Sequence, residues 1–210
     1  MSLKLTKADI EAISARDADY INDKGVTHYR DGEYEYAIEY YRIAAAMGNR
    51  IAVSNLGYCY LYRRSVEKNV SLAMSYFKIA ADRGVVDANY KLGSIYANGD
   101  EGVKRNRELS IYYYKKAATI VLSENMNPQS YPSLFFALAK EHMPKGKLYT
   151  DIRQAYVFLK IAEEGYTEQL LNGEQFREAG LNSVRELLAN PIFRQYKQED
   201  ADDGNEFLPN

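Results

Sequence analysis

Apolar and small residues recur along this chain at helical spacing, in segments that come in pairs. In IAVSNLGYCY the positions Ala52, Leu56 and Tyr60 fall at i, i+4 and i+8, one face of a helix, with Gly57 beside that face. The same pattern returns in DYINDKGVTHY, DANYKLGSIY and SLFFALAKEHM, which places Gly25, Gly93 and Ala139 in register with Gly57. Each segment is followed by a second one: AIEYYRIAA from Ala37, AMSYFKIAA from Ala73, SIYYYKKAA from Ser110 and AYVFLKIAE from Ala155. These starts are 36, 37 and 45 residues apart. The spacing predicts four helical hairpins, because a unit of this length holds two helices and a turn and cannot bury its apolar face alone.

Small residues at Gly57 and Ala73 let the two helices of a hairpin approach closely, with Tyr76 and Phe77 filling the space beside them and reaching the next unit. Turn chemistry agrees. Asn69, Asn106 and Asp151 stand four residues before the small position of the second helix, as N-caps, and Gly48, Gly84 and Gly165 stand where a left-handed C-cap is expected. The Tyr112, Tyr113, Tyr114 run resolves by register. Tyr113 and Tyr114 align with Tyr40 and Tyr41 and with Tyr76 and Phe77, so they are core positions, whereas Tyr112 aligns with Glu39 and Ser75 and is the extra aromatic.

The expected organisation is an all-α, right-handed α-solenoid of stacked helix-turn-helix repeats. One repeat domain spans residues 1–196, with repeats near 18–48, 49–84, 85–124 and 130–165 and caps at 5–17 and 166–196. Thr6 followed by Asp9 suggests the N-terminal helix start, and Pro191 opens a last short helix. Residues 197–210, KQEDADDGNEFLPN, carry one lysine against five acids and read as an acidic, disordered tail.

The pattern small-x-x-x-Leu-Gly-x-x-Tyr, a loop, an Asp or Asn cap and then Ala-x-x-Tyr-Tyr-x-x-Ala-Ala resembles the Sel-one-like repeat, a relative of the tetratricopeptide repeat. The resemblance covers about residues 18–165. It implies adaptor or scaffold roles in assembling or regulating larger complexes. The lone cysteine and the lack of a signal or membrane segment point to the cytoplasm, and the motifs and register point to no catalytic residue, metal or cofactor, a hydrolase being the least expected reading. Departures from the pattern are a shorter first turn, an extra residue in GDEGV, the longer connection VLSENMNPQSYP at 121–132, and Ala139 in place of glycine.

Composition narrows the chemistry. The chain has 210 residues, 27 basic against 29 acidic and a single cysteine, Cys59, so an intramolecular disulfide and a thiolate metal cluster are excluded. The start lacks the apolar stretch of a signal peptide, and no apolar run approaches the roughly 18 residues of a membrane span. His28 and His142 stand where Tyr60 and Tyr96 stand in the other units, which reads as substitution of a packing tyrosine rather than as an acid-base pair. No His-Glu-x-x-His, Gly-x-Ser-x-Gly or calcium-loop motif occurs, and PKGK at 144–147 lacks the glycine-rich lead of a phosphate loop.

Two features suggest binding. The face of each first helix that is offset from the packing face lines a groove in stacked hairpins. By register it comprises Asn22, Val26 and Tyr29, then Asn55, Tyr58, Leu61 and Tyr62, then Tyr90, Lys91 and Ser94, then Phe136 and Lys140. Tyrosines interleaved with amides and lysines suit a protein or peptide, with Tyr58 and Tyr90 the residues most expected to be accessible. The loops within the hairpins form the second feature, a basic rim of Arg63 and Arg64, Lys104, Arg105 and Arg107, and Lys145 and Lys147. Such a rim suits an acidic ligand or, as an alternative, a nucleic acid, and the acidic tail is expected to cover it weakly. Expected partners are a protein or peptide, a second copy of the chain included, and not a membrane.

Overall fold

The computed structural model describes residues 3–143 and 151–203, with side chains as far as residue 198 in the last helix. Among the described residues the chain is helical throughout its regular parts, apart from one isolated bridge between Asp100 and Val103. It divides into two compact units, Met1–Tyr113 and Tyr114–Asn210, where the sequence suggested one domain.

The first unit begins with α1 (Lys7–Ser14). The Thr6 hydroxyl accepts from the Asp9 backbone N–H at 3.2 Å, and the Asp9 carboxylate accepts from the Thr6 backbone N–H at 2.7 Å, so the capping box is complete. Then come the hairpins α2 (Ala18–Arg30) with α3 (Tyr34–Ala46), and α4 (Arg50–Leu61) with α5 (Val70–Asp82). α6 (Val86–Asn98) leads into α7 (Arg107–Ser123), inside which the division between units falls. The expected caps are made: the side chains of Asn69, Asn106 and Asp151 accept from the backbone N–H of Leu72, Leu109 and Gln154 at 2.8, 3.0 and 3.0 Å.

Close approach within a hairpin depends on glycine. A Cβ at Gly57 would lie 2.8 Å from the Phe77 ring, and one at Gly25 would lie 2.6 Å from the Tyr41 ring, so each glycine is the floor on which an aromatic of the second helix rests. Phe77 is wholly buried and Tyr41 nearly so. A stacked or edge-on pair then joins the two helices of each hairpin: His28 with Tyr40, Tyr60 with Tyr76, Tyr96 with Tyr113 and His142 with Phe158, at ring separations of 5.2 to 5.8 Å. Both histidines therefore hold the place of a packing tyrosine. Tyr114 is buried and Tyr113 half-buried, while Tyr112 is exposed, in agreement with the register.

The second unit contains α8 (Pro132–His142), α9 (Ile152–Leu171), α10 (Glu178–Leu188) and α11 (Arg194–Asp203). Two expectations change here. Gly165 does not end its helix; α9 continues to Leu171, and the glycine, which lacks the positive φ of Gly48 and Gly84, sits where a Cβ would strike the Gln129 carbonyl. The reason is register: Gly48 and Gly84 lie eleven residues after Ala37 and Ala73, and the equivalent position after Ala155 is Tyr166, which has no left-handed preference. The expected disordered tail also starts with helix, since α11 runs through Asp203; residues 204–210 lie outside the described residues.

Candidate partner-binding groove

In the first unit successive first helices are tied by side chains on the predicted groove face. Asn55 of α4 donates its amide to the Asn22 carbonyl oxygen of α2 at 3.1 Å. Lys91 of α6 donates its ammonium to the Tyr62 hydroxyl at 2.9 Å. The same ammonium lies 5.1, 5.3 and 5.6 Å from the ring centroids of Tyr58, Tyr62 and Tyr90, a three-ring cluster around one cation. Tyr58 and Tyr62 stack at 6.1 Å, and Tyr58 also sets its edge on Phe77 at 5.2 Å, so the cluster stands on the hairpin core.

Accessibility differs along this face. Tyr62 is 48% exposed, and Tyr58, Tyr90, Lys91, Ser94, Asn55, Val26 and Tyr29 are half-buried. Asn22 and Leu61, at 6% and 5%, are buried: Asn22 accepts the Asn55 amide, and Leu61 belongs to the core cluster of Val70 and Ala73 and lines the cavity beside the tyrosines. Burial pushes the Tyr58 hydroxyl well above its ordinary pKa, with the Asp87 carboxylate adding to it, so this hydroxyl remains a hydrogen-bond donor at neutral pH. Beside the cluster is a cavity of about 210 Å³ whose polar lining is Tyr62, Lys68, Lys91, Ser94, Asn98 and Asp100. Lys68, Asn98 and Asp100 escaped the sequence reading, since they come from a loop, a helix end and a glycine-rich turn that no helical period links. In the second unit Phe136 is half-buried and Lys140 exposed, with the Lys140 ammonium 4.5 Å from the Phe136 ring centroid.

The basic rim is not uniform. The GDEGV turn closes on the Asp100–Val103 bridge and brings acids into it: Lys68 pairs with Asp100 at 2.6 Å and with Glu101 at 3.7 Å. Arg64 lies over the Tyr34 ring of the preceding hairpin at 4.6 Å, and Arg105 is folded back on its own hairpin, donating to the Ala97 carbonyl at 3.0 Å. Arg63 and Lys104 are exposed, Arg107 starts α7, and Lys145 and Lys147 lie outside the described residues. Cys59 is buried, and burial pushes its thiol up to about 11, which removes it as a nucleophile at neutral pH. Among the described residues no group of His, Cys, Asp or Glu is arranged to hold a metal, and no helix is long and apolar enough to cross a membrane.

Comparison with known proteins follows the same boundaries. The Sel1 repeat family model matches residues 16–49, 51–85 and 86–119, which are the first three hairpins; the fourth is not matched. Chitin synthase regulatory factor 3 of Schizosaccharomyces pombe is 31% identical over 81 residues, 39% of this chain and 9% of that protein. An F-box protein of Arabidopsis thaliana is 34% identical over 77 residues, 37% of this chain and 21% of that protein. The chain thus matches only a small part of either relative's length. The crystal structure of a Sel1 repeat protein from Oxalobacter formigenes shares the fold, with a TM-score of 0.58 and 22% identity over 70% of this chain and 58% of that one.

Proposed function

Because the chain is a Sel1-repeat protein, with three such repeats over residues 16–119, we propose that it is a non-catalytic adaptor whose first unit binds a segment of a partner protein on the face of α4 and α6. The observation that carries this reading is the Tyr58, Tyr62, Tyr90 and Lys91 cluster, half-buried to exposed and rigidly backed by Phe77. Aromatic rings on a fixed base give large contact area at little conformational cost, and their hydroxyls fix orientation. The adjoining cavity supplies both signs of charge, Lys91 and Asp100, which suits a peptide carrying mixed polar groups. Asn55 and Ser94 extend the surface along the same helices, with Val26 and Tyr29 on α2 beside them.

Selection of displayed peptides on the purified chain, followed by calorimetry, tests this. Tyr62→Ala is expected to weaken a selected peptide about tenfold, or about 1.4 kcal/mol, and Lys91→Ala by a similar factor. Tyr58 is the wrong residue to remove first, since its edge rests on Phe77 and its loss would disturb the core. Selected peptides that bind both variants as tightly as the parent chain would refute the groove.

A further inference from the structure

The second unit holds a site that the repeat pattern does not account for. The second helices of the first three hairpins carry a pair of small residues, Ala44–Ala45, Ala80–Ala81 and Ala117–Ala118. In α9 the equivalent pair is Ala162–Glu163. Glu163 accepts from the Lys160 ammonium at 3.1 Å with one carboxylate oxygen and from Arg185 Nε of α10 at 3.3 Å with the other. These residues line an open cavity of about 500 Å³ together with Tyr156, Leu188, Ala189 and Lys197 of α11.

Among the described lining residues three cations, Lys160, Arg185 and Lys197, stand with one carboxylate, Glu163, which pairs with the first two. Arg185 uses Nε on Glu163, and no described residue engages its two terminal nitrogens, which keep the fork geometry that receives a carboxylate in bidentate fashion. Tyr156 and Leu188 are themselves packed, at 6% exposure each, so the apolar wall is fixed. An open depression of this volume exceeds what a single inorganic anion needs and can receive a side chain with its flanking groups. The cations converge on one cavity instead of repeating along a track, which disfavours a nucleic-acid strand.

We propose that the cavity between α9, α10 and α11 docks an acidic peptide segment of a partner protein, its aromatic or leucine side chain against Tyr156, Leu188 and Ala189 and its carboxylates on Arg185 and Lys197. Glu163 bridges Lys160 and Arg185 and sets a charge threshold: a neutral peptide finds those cations already paired, whereas a peptide with several acids competes for them and for Lys197.

The test is fluorescence anisotropy of the whole chain with a fluorescein-labelled peptide, Glu-Asp-Phe-Leu-Asp-Glu, at about 50 mM salt, where charge pairs are weakly screened. Saturable binding is expected, weakened about tenfold or more by combining Arg185→Glu with Lys197→Glu and unchanged by Tyr62→Ala, which separates this site from the groove. Both charge reversals are at exposed side chains, and circular dichroism checks the fold; Lys197→Glu alone is the fallback, with weakening of about threefold. Absence of binding, equal binding by the charge-reversed chain, or equal binding of Lys-Lys-Phe-Leu-Lys-Lys overturns the proposal. Equal binding of a peptide with Ala-Ala for Phe-Leu overturns the apolar anchor and with it the peptide class. Deleting residues 204–210 is expected to leave affinity unchanged; a rise of about fivefold would assign the cavity to the chain's own terminus instead.

Discussion

The second and fourth hairpins carry an aromatic pair at the same register, Tyr60 stacked on Tyr76 and His142 edge-on to Phe158, yet pack their helices with different partners. In the second hairpin Gly57 lies under Phe77; in the fourth the equivalent residues are Ala139 and Leu159, all four buried. A methyl added to the floor is matched by a smaller side chain above it. The pair, rather than either residue, is the unit that the fold holds constant, as expected where interiors pack to near-crystalline density. The ends of the hairpins diverge further. α5 is followed by Gly84 with φ 76°, and α9 runs on through Gly165 to Leu171, burying Tyr166, whose hydroxyl lies 3.0 Å from that of Ser133. The lengthened helix is what brings α10, and with it Arg185, against Glu163.

The largest effect should come from Gly165→Ala. The obstacle is the Gln129 backbone carbonyl, which cannot rotate aside as a ring can, so a loss of more than about 3 kcal/mol is expected in urea unfolding followed by a probe in the second unit. A mild effect would show that the close approach is adjustable.

Gly57→Ala meets a ring instead, and should cost about 1–3 kcal/mol. Adding Phe77→Leu converts the second hairpin to the composition of the fourth. The double variant is expected to be more stable than the sum of the two single losses allows, by about 1 kcal/mol of coupling in a double-mutant cycle. Strict additivity would break the equivalence of the two hairpins.

The anchoring of α1 in the first unit and of α10 in the second supplies the next contrast. Asp9 of α1 is fully buried, and its Oδ2 accepts from the Thr6 N–H, the Thr6 hydroxyl and the Tyr40 hydroxyl, the last at 2.9 Å. Burial pushes the Asp9 carboxyl up, but these donors outweigh it and hold it below the usual 3.8. Tyr40, desolvated and bonded to Asp9, is raised to about 12. A depressed folded pKa means stabilisation that is fully present above the unfolded value and disappears as pH falls through the folded one. In the second unit α10 is seated by the buried apolar residues Leu181, Val184 and Leu188, and its ion pair, Arg185 with Glu163, is partly exposed and contributes little. Hydrogen exchange should therefore show α1 loosening before α10 as pH falls below about 4, and Asp9→Asn should abolish the difference in order. The smallest effect, about 1 kcal/mol for each of Asn69→Ala and Asp151→Ala in thermal unfolding, should be alike in the two units, since both caps are made in the same way.

Legibility followed these differences. The hairpins, the N-caps at Asn69, Asn106 and Asp151, the glycine floors and the histidines as stand-ins for tyrosine all follow from register, since each depends on residues a fixed number of positions apart within one unit. Groove residues were only half legible. Register placed Asn22 and Leu61 on the same face as Tyr58 and Tyr62, and neighbouring helices then covered the first pair and left the second open. Gly165 misled because a glycine near a helix end serves equally as a cap or as a contact floor, and a one-residue offset separates the two.

The sequence by itself determined the repeat, its hairpins and its core pairs, because those are local periodicities that any stacking must respect. Tertiary structure alone decided which face stays open, how the GDEGV turn mixes acids into the rim, and that Glu163, Arg185 and Lys197 meet around one cavity. Those outcomes depend on contacts between residues far apart in the chain, set by how closely each helix can approach its neighbour, and no period along the sequence encodes that distance.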